Sequence, residues 1–174
     1  MAPADSWQQP KRVNRLNRMS IKEQAAVYES STQYFLNLAR GVTADQLDVK
    51  DPEGWSARQI IHHLADSEAQ SYVRLRRLVA EPEGVMLVNV DEDSWAKEAK
   101  LGYETAPVEN SIAVYAAVRA GSLDVIKRLE DSDVEKSGVH PESGKFTIEK
   151  WLFNYTKHSL EHGEQLIRAT KGQE

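Results

Sequence analysis

The chain contains no cysteine. That absence excludes disulfides, zinc–thiolate sites and a cysteine nucleophile of the protein's own. Any bound metal has to be held by histidine and carboxylate, and any thiol chemistry needs a thiol carried in by a small molecule. A reducing cytoplasm is the default compartment for such a chain. No apolar run reaches the roughly 18 residues that a membrane-spanning helix needs. The basic residues Lys11, Arg12, Arg15 and Arg18 are not followed by an apolar stretch, so no secretory signal is visible. Positive charge is not in excess either. Lys and Arg number 22 against 27 Asp and Glu, for a net charge of -5, which disfavours nucleic acid and anionic membranes as partners.

What is present is a globular composition, 40% hydrophobic and 28% charged over 174 residues, long enough for one domain with its own core. Residues 1–19 are polar, carry Pro3, Trp7 and Pro10, and read as a tail; residues 20–174 read as the domain. There is no internal repeat.

Four segments carry helical periodicity. The first opens on a capping box, Ser20 with Glu23, and places Ile21, Ala25, Tyr28, Thr32, Phe35 and Ala39 on one face, with Gly41 as its stop. The second opens on Ser56 with Gln59 and runs to about Ala80, with Pro82 beyond its end. The third follows Pro107 and runs to about Leu129, its apolar face broken by Arg119. The fourth follows Thr147 and runs to about Ala169, with Ile148, Trp151, Leu152, Tyr155 and Leu166 inward. Between them, Val85–Val90 is the one stretch that reads as extended, Asp91–Trp95 reads as a turn into a short helix, and Asp131–Phe146 as a loop. The expected fold class is all-α, a four-helix bundle without substantial sheet, whose long connections do not require a simple up-down topology.

The chemistry sits on the fourth segment. His158 and His162, four residues apart, stack on one face one turn from each other. They share that side with Trp151, Tyr155 and Leu166, so they point inward. Two imidazoles so placed can close on one metal ion, and imidazole suits zinc, nickel, copper and iron alike. The third ligand is expected from the second segment, where His62 and His63 sit on opposite flanks of the apolar face. His62 shares its flank with Asp66, Gln70 and Arg77, a charged strip, and reads as a surface or supporting residue. His63 shares its flank with Ser67, Ser71 and Arg74, small and polar groups that leave room for a pocket, and reads as the ligand. His140 reads as a solvated loop histidine, with a reserve role as ligand. Three histidines on one ion leave a position open, which is the pattern of a catalytic rather than a structural site.

The run from His158 to His162 also matches the inverted zincin pattern, in which the glutamate, here Glu161, is the general base. Such a peptidase needs a distant downstream acidic ligand, and too little chain follows His162 to supply one. Glu161 is kept only as a candidate base that leans away from the core. Arg119 either pairs with a core carboxylate or lines a cavity and grips an anionic substrate, with Arg74 and Ser67 as neighbouring substrate contacts.

The segment Trp55-Ser56-Ala57-Arg58-Gln59-Ile60-Ile61-His62-His63-Leu64-Ala65-Asp66-Ser67-Glu68 resembles the second-helix motif of the DinB/YfiT-like superfamily, which is unrelated to the DNA polymerase of similar name. The stretch from Gly144 through Trp151-Leu152 to His158 and His162 is similar to that family's closing motif. The resemblance spans about residues 20–170 and implies an antiparallel four-helix bundle with one divalent metal on His63, His158 and His162. It also implies a metal-dependent hydrolase, or a transferase for a low-molecular-weight thiol, and frequent homodimers. Zinc, nickel, iron and manganese are not separable from the sequence. A water or a thiol at the open position would each be activated as a nucleophile. The alternative is a non-catalytic metal- or small-ligand-binding stress protein. The expected partner is a small molecule.

Overall fold

The computed structural model describes residues 19–172. The tail expected over residues 1–19 lies, apart from Met19, outside the described residues. Four long helices form the body: α1 (Ile21–Gly41), α2 (Ala57–Ala80), α4 (Glu109–Ile126) and α5 (Ile148–Lys171), with a short α3 (Glu92–Lys97) between α2 and α4. Both expected capping boxes close. The Ser20 N–H donates to Glu23 Oε2 at 2.8 Å and the Glu23 N–H to Ser20 Oγ at 3.4 Å. Ser56 and Gln59 make the same exchange at 2.9 and 3.2 Å. Each exchange satisfies first-turn amides that have no partner within the helix. Gly41 is the last helical residue of α1, and the chain leaves it through an extended Val42.

The helices pack in a ring, α1 against α5, α5 against α2, α2 against α4, and α4 against α1. The consecutive helices α1 and α2 therefore occupy opposite corners, which explains the long connection between them. At Gly163 of α5 a Cβ would come 2.4 Å from the Tyr34 ring of α1, so the close approach of these two helices needs glycine there. Among the described residues no helix is long and apolar enough to cross a membrane.

The core has two apolar halves. One is built around Tyr28, Leu75, Ile126 and Trp151, the other around Phe35, Ile60, Leu64, Tyr115 and Leu166. A polar layer separates them, and Arg119 is its centre. Its Nε donates to Thr32 Oγ1 at 2.8 Å; Nη1 donates to Glu68 Oε1 at 3.0 Å and to the Tyr155 carbonyl at 2.9 Å. Nη2 donates to the Tyr28 carbonyl at 3.1 Å and to Ser31 Oγ at 2.8 Å. A guanidinium has five N–H groups, and all of them are engaged. The group also lies 3.5 Å over the Tyr28 ring. Arg119 is 1% exposed and so is Glu68. The reading of Arg119 as a substrate grip is corrected here: no donor is left for a ligand, and the charge is balanced by a carboxylate from α2.

The irregular segments hold a three-stranded sheet, β1 (Val85–Met86), β2 (Ser137–His140) and β3 (Gly144–Thr147), with β1 parallel to β2 and β2 antiparallel to β3. Only the first two residues of the expected extended run pair in it. The β2–β3 hairpin falls in the segment expected to be a loop. Its strands are too short for an alternating pattern to stand out, and its turn is marked by Pro141 and a left-handed Gly144 with φ 67°.

The ion pair makes a stability prediction. Arg119→Met leaves the Glu68 carboxyl buried without its partner and should cost about 3–5 kcal/mol in urea unfolding. The double variant Glu68→Leu/Arg119→Met should recover most of that loss. A single variant as stable as the wild type would contradict the central role of the pair.

Candidate metal centre

The inward face of α5 is set by Trp151, Leu152, Tyr155, Ser159 and Leu166, all buried. His158 and His162 fall on its margin, and α2, packed alongside, brings His63 to them. The nitrogens of His63, His158 and His162 lie within 4.8 Å of one another. His158 Nε2 and His162 Nε2 face each other at 3.0 Å. The His63 ring centroid is 4.8 Å from that of His162 and 5.4 Å from that of His158. Trp55, just before α2, sets its ring against His63 at 5.6 Å, edge to face.

Burial pushes all three imidazoles toward the neutral form. His63 is lowered to about 4 by desolvation. His162 is lowered to about 4 by desolvation and by the His63 charge. His158 is held well below the usual histidine range by burial and by its two histidine neighbours. At neutral pH the cluster is therefore three lone-pair donors, not three cations.

These residues fit a metal ion. Two imidazole nitrogens bound at about 2.1 Å to one ion are roughly 3.0–3.4 Å apart, which matches the facing Nε2 pair. The Nδ1 of His162 meets Gln165 Oε1 at 2.7 Å, so a neutral His162 keeps its proton on that side and turns its Nε2 lone pair to the centre. Among the described residues, these three histidines are the set whose ligand atoms converge in this way.

Beside His63 lies a chamber of about 10 Å³, lined by Asp66, Ser67, Arg74, Glu92, Trp95 and Tyr103 among others. That is room for about one water. Its roof is α3, whose N-cap is Asp91. Glu92 Oε2 lies 3.9 Å from His63 Nε2. Partial burial holds the Glu92 carboxyl above its usual range, against the pull of His162 and Arg74. Glu92 was not singled out in the sequence, because only the folding back of residues 81–106 brings it to the triad. Its signal was the acidic start of the short helix after Asp91.

The other candidates separate as follows. Ser67 and Arg74 do line the chamber, and Arg74 is anchored there by bonds from Nη1 to Tyr155 Oη at 2.7 Å and from Nη2 to the Val88 carbonyl at 2.7 Å. Glu161 pairs with Lys157 at 3.0 Å on the exposed surface and does not line the chamber, so the structure does not bring it to the triad as a base. His62 is buried, not on the surface, with Nδ1 at 2.7 Å from Ser111 Oγ and Nε2 at 3.2 Å from the Ala106 carbonyl. The part of that strip that holds His62 and Asp66 is covered by residues 98–107, from which Tyr103 donates to Asp66 at 2.8 Å. His140 accepts from the Glu142 and Ser143 amides in the hairpin turn and takes no part in the cluster.

Comparison with known proteins gives a consistent picture. The sequence model of the DinB superfamily matches residues 28–166. The chain is 30% identical over 148 residues, 84% of each chain, to a protein of Oceanobacillus iheyensis named "Putative metal-dependent hydrolase". It is 30% identical over 131 residues, 72% of each chain, to a Bacillus mycoides protein of the same name. The structure of YfiT from Bacillus subtilis, described as a probable metal-dependent hydrolase with an unusual four-helix bundle topology, superposes with a TM-score of 0.77 at 24% identity. That superposition covers 98% of this chain and 92% of that one.

Replacing His158 with Ala should abolish stoichiometric divalent metal binding, measured by elemental analysis after dialysis, with the helical circular dichroism retained. His63→Ala should do the same and His62→Ala should not. Full metal content in the His63 or His158 variant would remove the triad as the site.

Proposed function

The chain belongs to the DinB superfamily, and on that footing we propose that it is a hydrolase for a small molecule, working with one divalent transition metal held by His63, His158 and His162. The observation that carries this reading is the convergence of three neutral imidazoles within 4.8 Å, one buried and two half-buried, with a carboxylate, Glu92, 3.9 Å from one of them. The names carried by its relatives in Oceanobacillus iheyensis and Bacillus mycoides support the same reaction class.

A divalent ion in this site supplies Lewis acidity and brings the pKa of a water toward about 7. The protein does the rest. Neutral histidines contribute no negative charge, so His63, His158 and His162 would hold an ion without reducing its charge. Glu92 Oε2 borders the one-water chamber and takes the proton from the attacking water, returning it to the leaving group. Arg74 and Ser67 line the chamber wall and present polar contacts to the substrate.

Access runs under α3. None of its six residues is buried, so little apolar contact opposes its displacement. On its other side lies a cleft of about 400 Å³ lined by Trp55, Gln59, Lys97, Tyr103 and Glu104 among others. Trp55 touches His63, and Tyr103 lines both cavities. The cleft takes the body of a small, partly polar substrate while the reacting group reaches the triad.

The test is a screen of small esters and amides with protein loaded with zinc, manganese or nickel, with and without added low-molecular-weight thiols. Turnover should vanish with chelator and return with metal. Glu92→Gln should lower kcat about 10²–10⁴-fold with metal content unchanged. An unchanged rate in that variant would remove Glu92 as the base. Turnover only with added thiol would make the protein a thiol transferase. No turnover of any metal-loaded form would make it a binding protein.

A further inference from the structure

Asp51 is a carboxylate in a turn between α1 and α2, and it is 0% exposed. A buried carboxylate is costly unless its oxygens are matched by donors. Oδ1 accepts from the Trp55 N–H at 2.8 Å, which closes the turn locally. Oδ2 does something a turn does not require. It accepts from Gln165 Nε2 of α5 at 2.8 Å, across 114 residues of sequence. Gln165 is itself 7% exposed, and its Oε1 meets His162 Nδ1 at 2.7 Å.

The chemistry of the three groups fixes the direction of this chain. A carboxylate only accepts, so the Gln165 amide must turn its NH₂ toward Asp51 and its carbonyl toward His162. A carbonyl also only accepts, so His162 must carry its proton on Nδ1. The neutral ring then has its lone pair on Nε2, the atom that faces His158 Nε2 at 3.0 Å. Asp51 also lies close to a second ligand. The Trp55 amide that it anchors belongs to the residue whose ring packs against His63.

We propose that Asp51 and Gln165 are positioning residues that set the tautomer of His162, so that the folded protein presents a lone pair, not a proton, to the metal. The inference rests on His162 being a metal ligand, but not on the reaction being a hydrolysis. Histidine ligands are commonly oriented by a carboxylate or carbonyl behind them, and loss of such a partner lowers metal affinity about 10–100-fold. Here the carboxylate acts at one remove, through an amide that cannot be read in either direction once Asp51 is in place.

The test uses full-length protein and the tautomer-sensitive ¹⁵N shifts of the His162 ring in the metal-free state, together with zinc affinity by competition. The wild type should show the Nδ1–H tautomer. Asp51→Asn is the sharpest variant. The new side chain must still accept from the Trp55 amide, so its NH₂ faces Gln165. Gln165 then flips, its own NH₂ faces His162, and the proton moves to Nε2. Zinc affinity should fall about 10–100-fold. Gln165→Leu should lose affinity to a similar degree without imposing the reversed tautomer. The double variant Asp51→Asn/Gln165→Glu rebuilds the chain with the carboxylate next to the ring. It should restore the Nδ1–H tautomer and bring zinc affinity back to within a few-fold of wild type. A purely structural role for Asp51 would shift the melting temperature without moving the tautomer or being rescued in this way. An Nδ1–H tautomer in the Asp51→Asn variant, with wild-type zinc affinity, would overturn the proposal. Failure of the wild type to bind metal would count against the metal reading, while the ring shifts would still decide the direction of the chain.

Discussion

The interaction on which the rest of this structure depends is the buried pair of Arg119 and Glu68. Arg119 bonds to Tyr28, Ser31 and Thr32 of α1, to Glu68 of α2 and to the Tyr155 carbonyl of α5, from its own place on α4. One planar group thus fixes the relative rotation of all four long helices. Apolar packing alone is tolerant of small rotations, because one methyl group replaces another at little cost. Five directed hydrogen bonds from a single rigid fork are not. The consequence for function is local. Tyr155 is one turn before His158 and Ser159, and Ser159 Oγ accepts from Tyr115 Oη of α4 at 2.9 Å. The face of α5 that carries His158 and His162 is therefore held at the angle that meets His63.

The triad is built to stay neutral. Desolvation is the largest cause of the lowered pKa at each of the three histidines. Glu92 reaches only to 3.9 Å of His63, and the half-exposed carboxylate is not in the set of converging ligand atoms. A site of this kind attracts a cation through lone pairs, and the cation's charge is left to act on a substrate. Support for the rings comes from elsewhere in the fold, with Gln165 bonded to His162 Nδ1 and the Trp55 ring packed against the His63 ring. His158 Nδ1 is buried without a hydrogen-bond partner. The outer nitrogens of the two α5 histidines thus differ: His162 Nδ1 is backed by Gln165, while His158 Nδ1 has no such partner and His158 bonds through Nε2 to His162.

Much of this was legible in the sequence, for identifiable reasons. Helix starts are local chemistry, and the Ser20–Glu23 and Ser56–Gln59 boxes need only a spacing of three residues to be read. The pair His158 and His162 needs only the helical repeat and the buried neighbours Trp151, Tyr155 and Leu166. The choice of His63 over His62 followed from the small side chains on its flank. What could not be read depends on contacts between distant segments. Arg119 was visible as a charge on an apolar face, but Glu68 as its partner was not. His62 looked solvated because nothing in the periodicity says that residues 98–107 fold over it. Glu92 and Asp51 sit in connections without a repeat, and each reaches the cluster only when α3 closes against α2 and the turn before α2 closes against α5. The β2–β3 hairpin was hidden for a different reason: strands of four residues, one containing Gly138 and the other starting at Gly144, carry too few side chains for alternation to show.

The central claim is that His63, His158 and His162 share one ion. The most direct measurement is a crystal structure of the protein soaked with zinc, with anomalous diffraction recorded at the zinc edge. The account predicts a single strong anomalous peak with a nitrogen from each of the three rings at about 2.0–2.1 Å and an open position toward Glu92. A peak elsewhere, or no peak at the three rings in a fully folded protein, would contradict it.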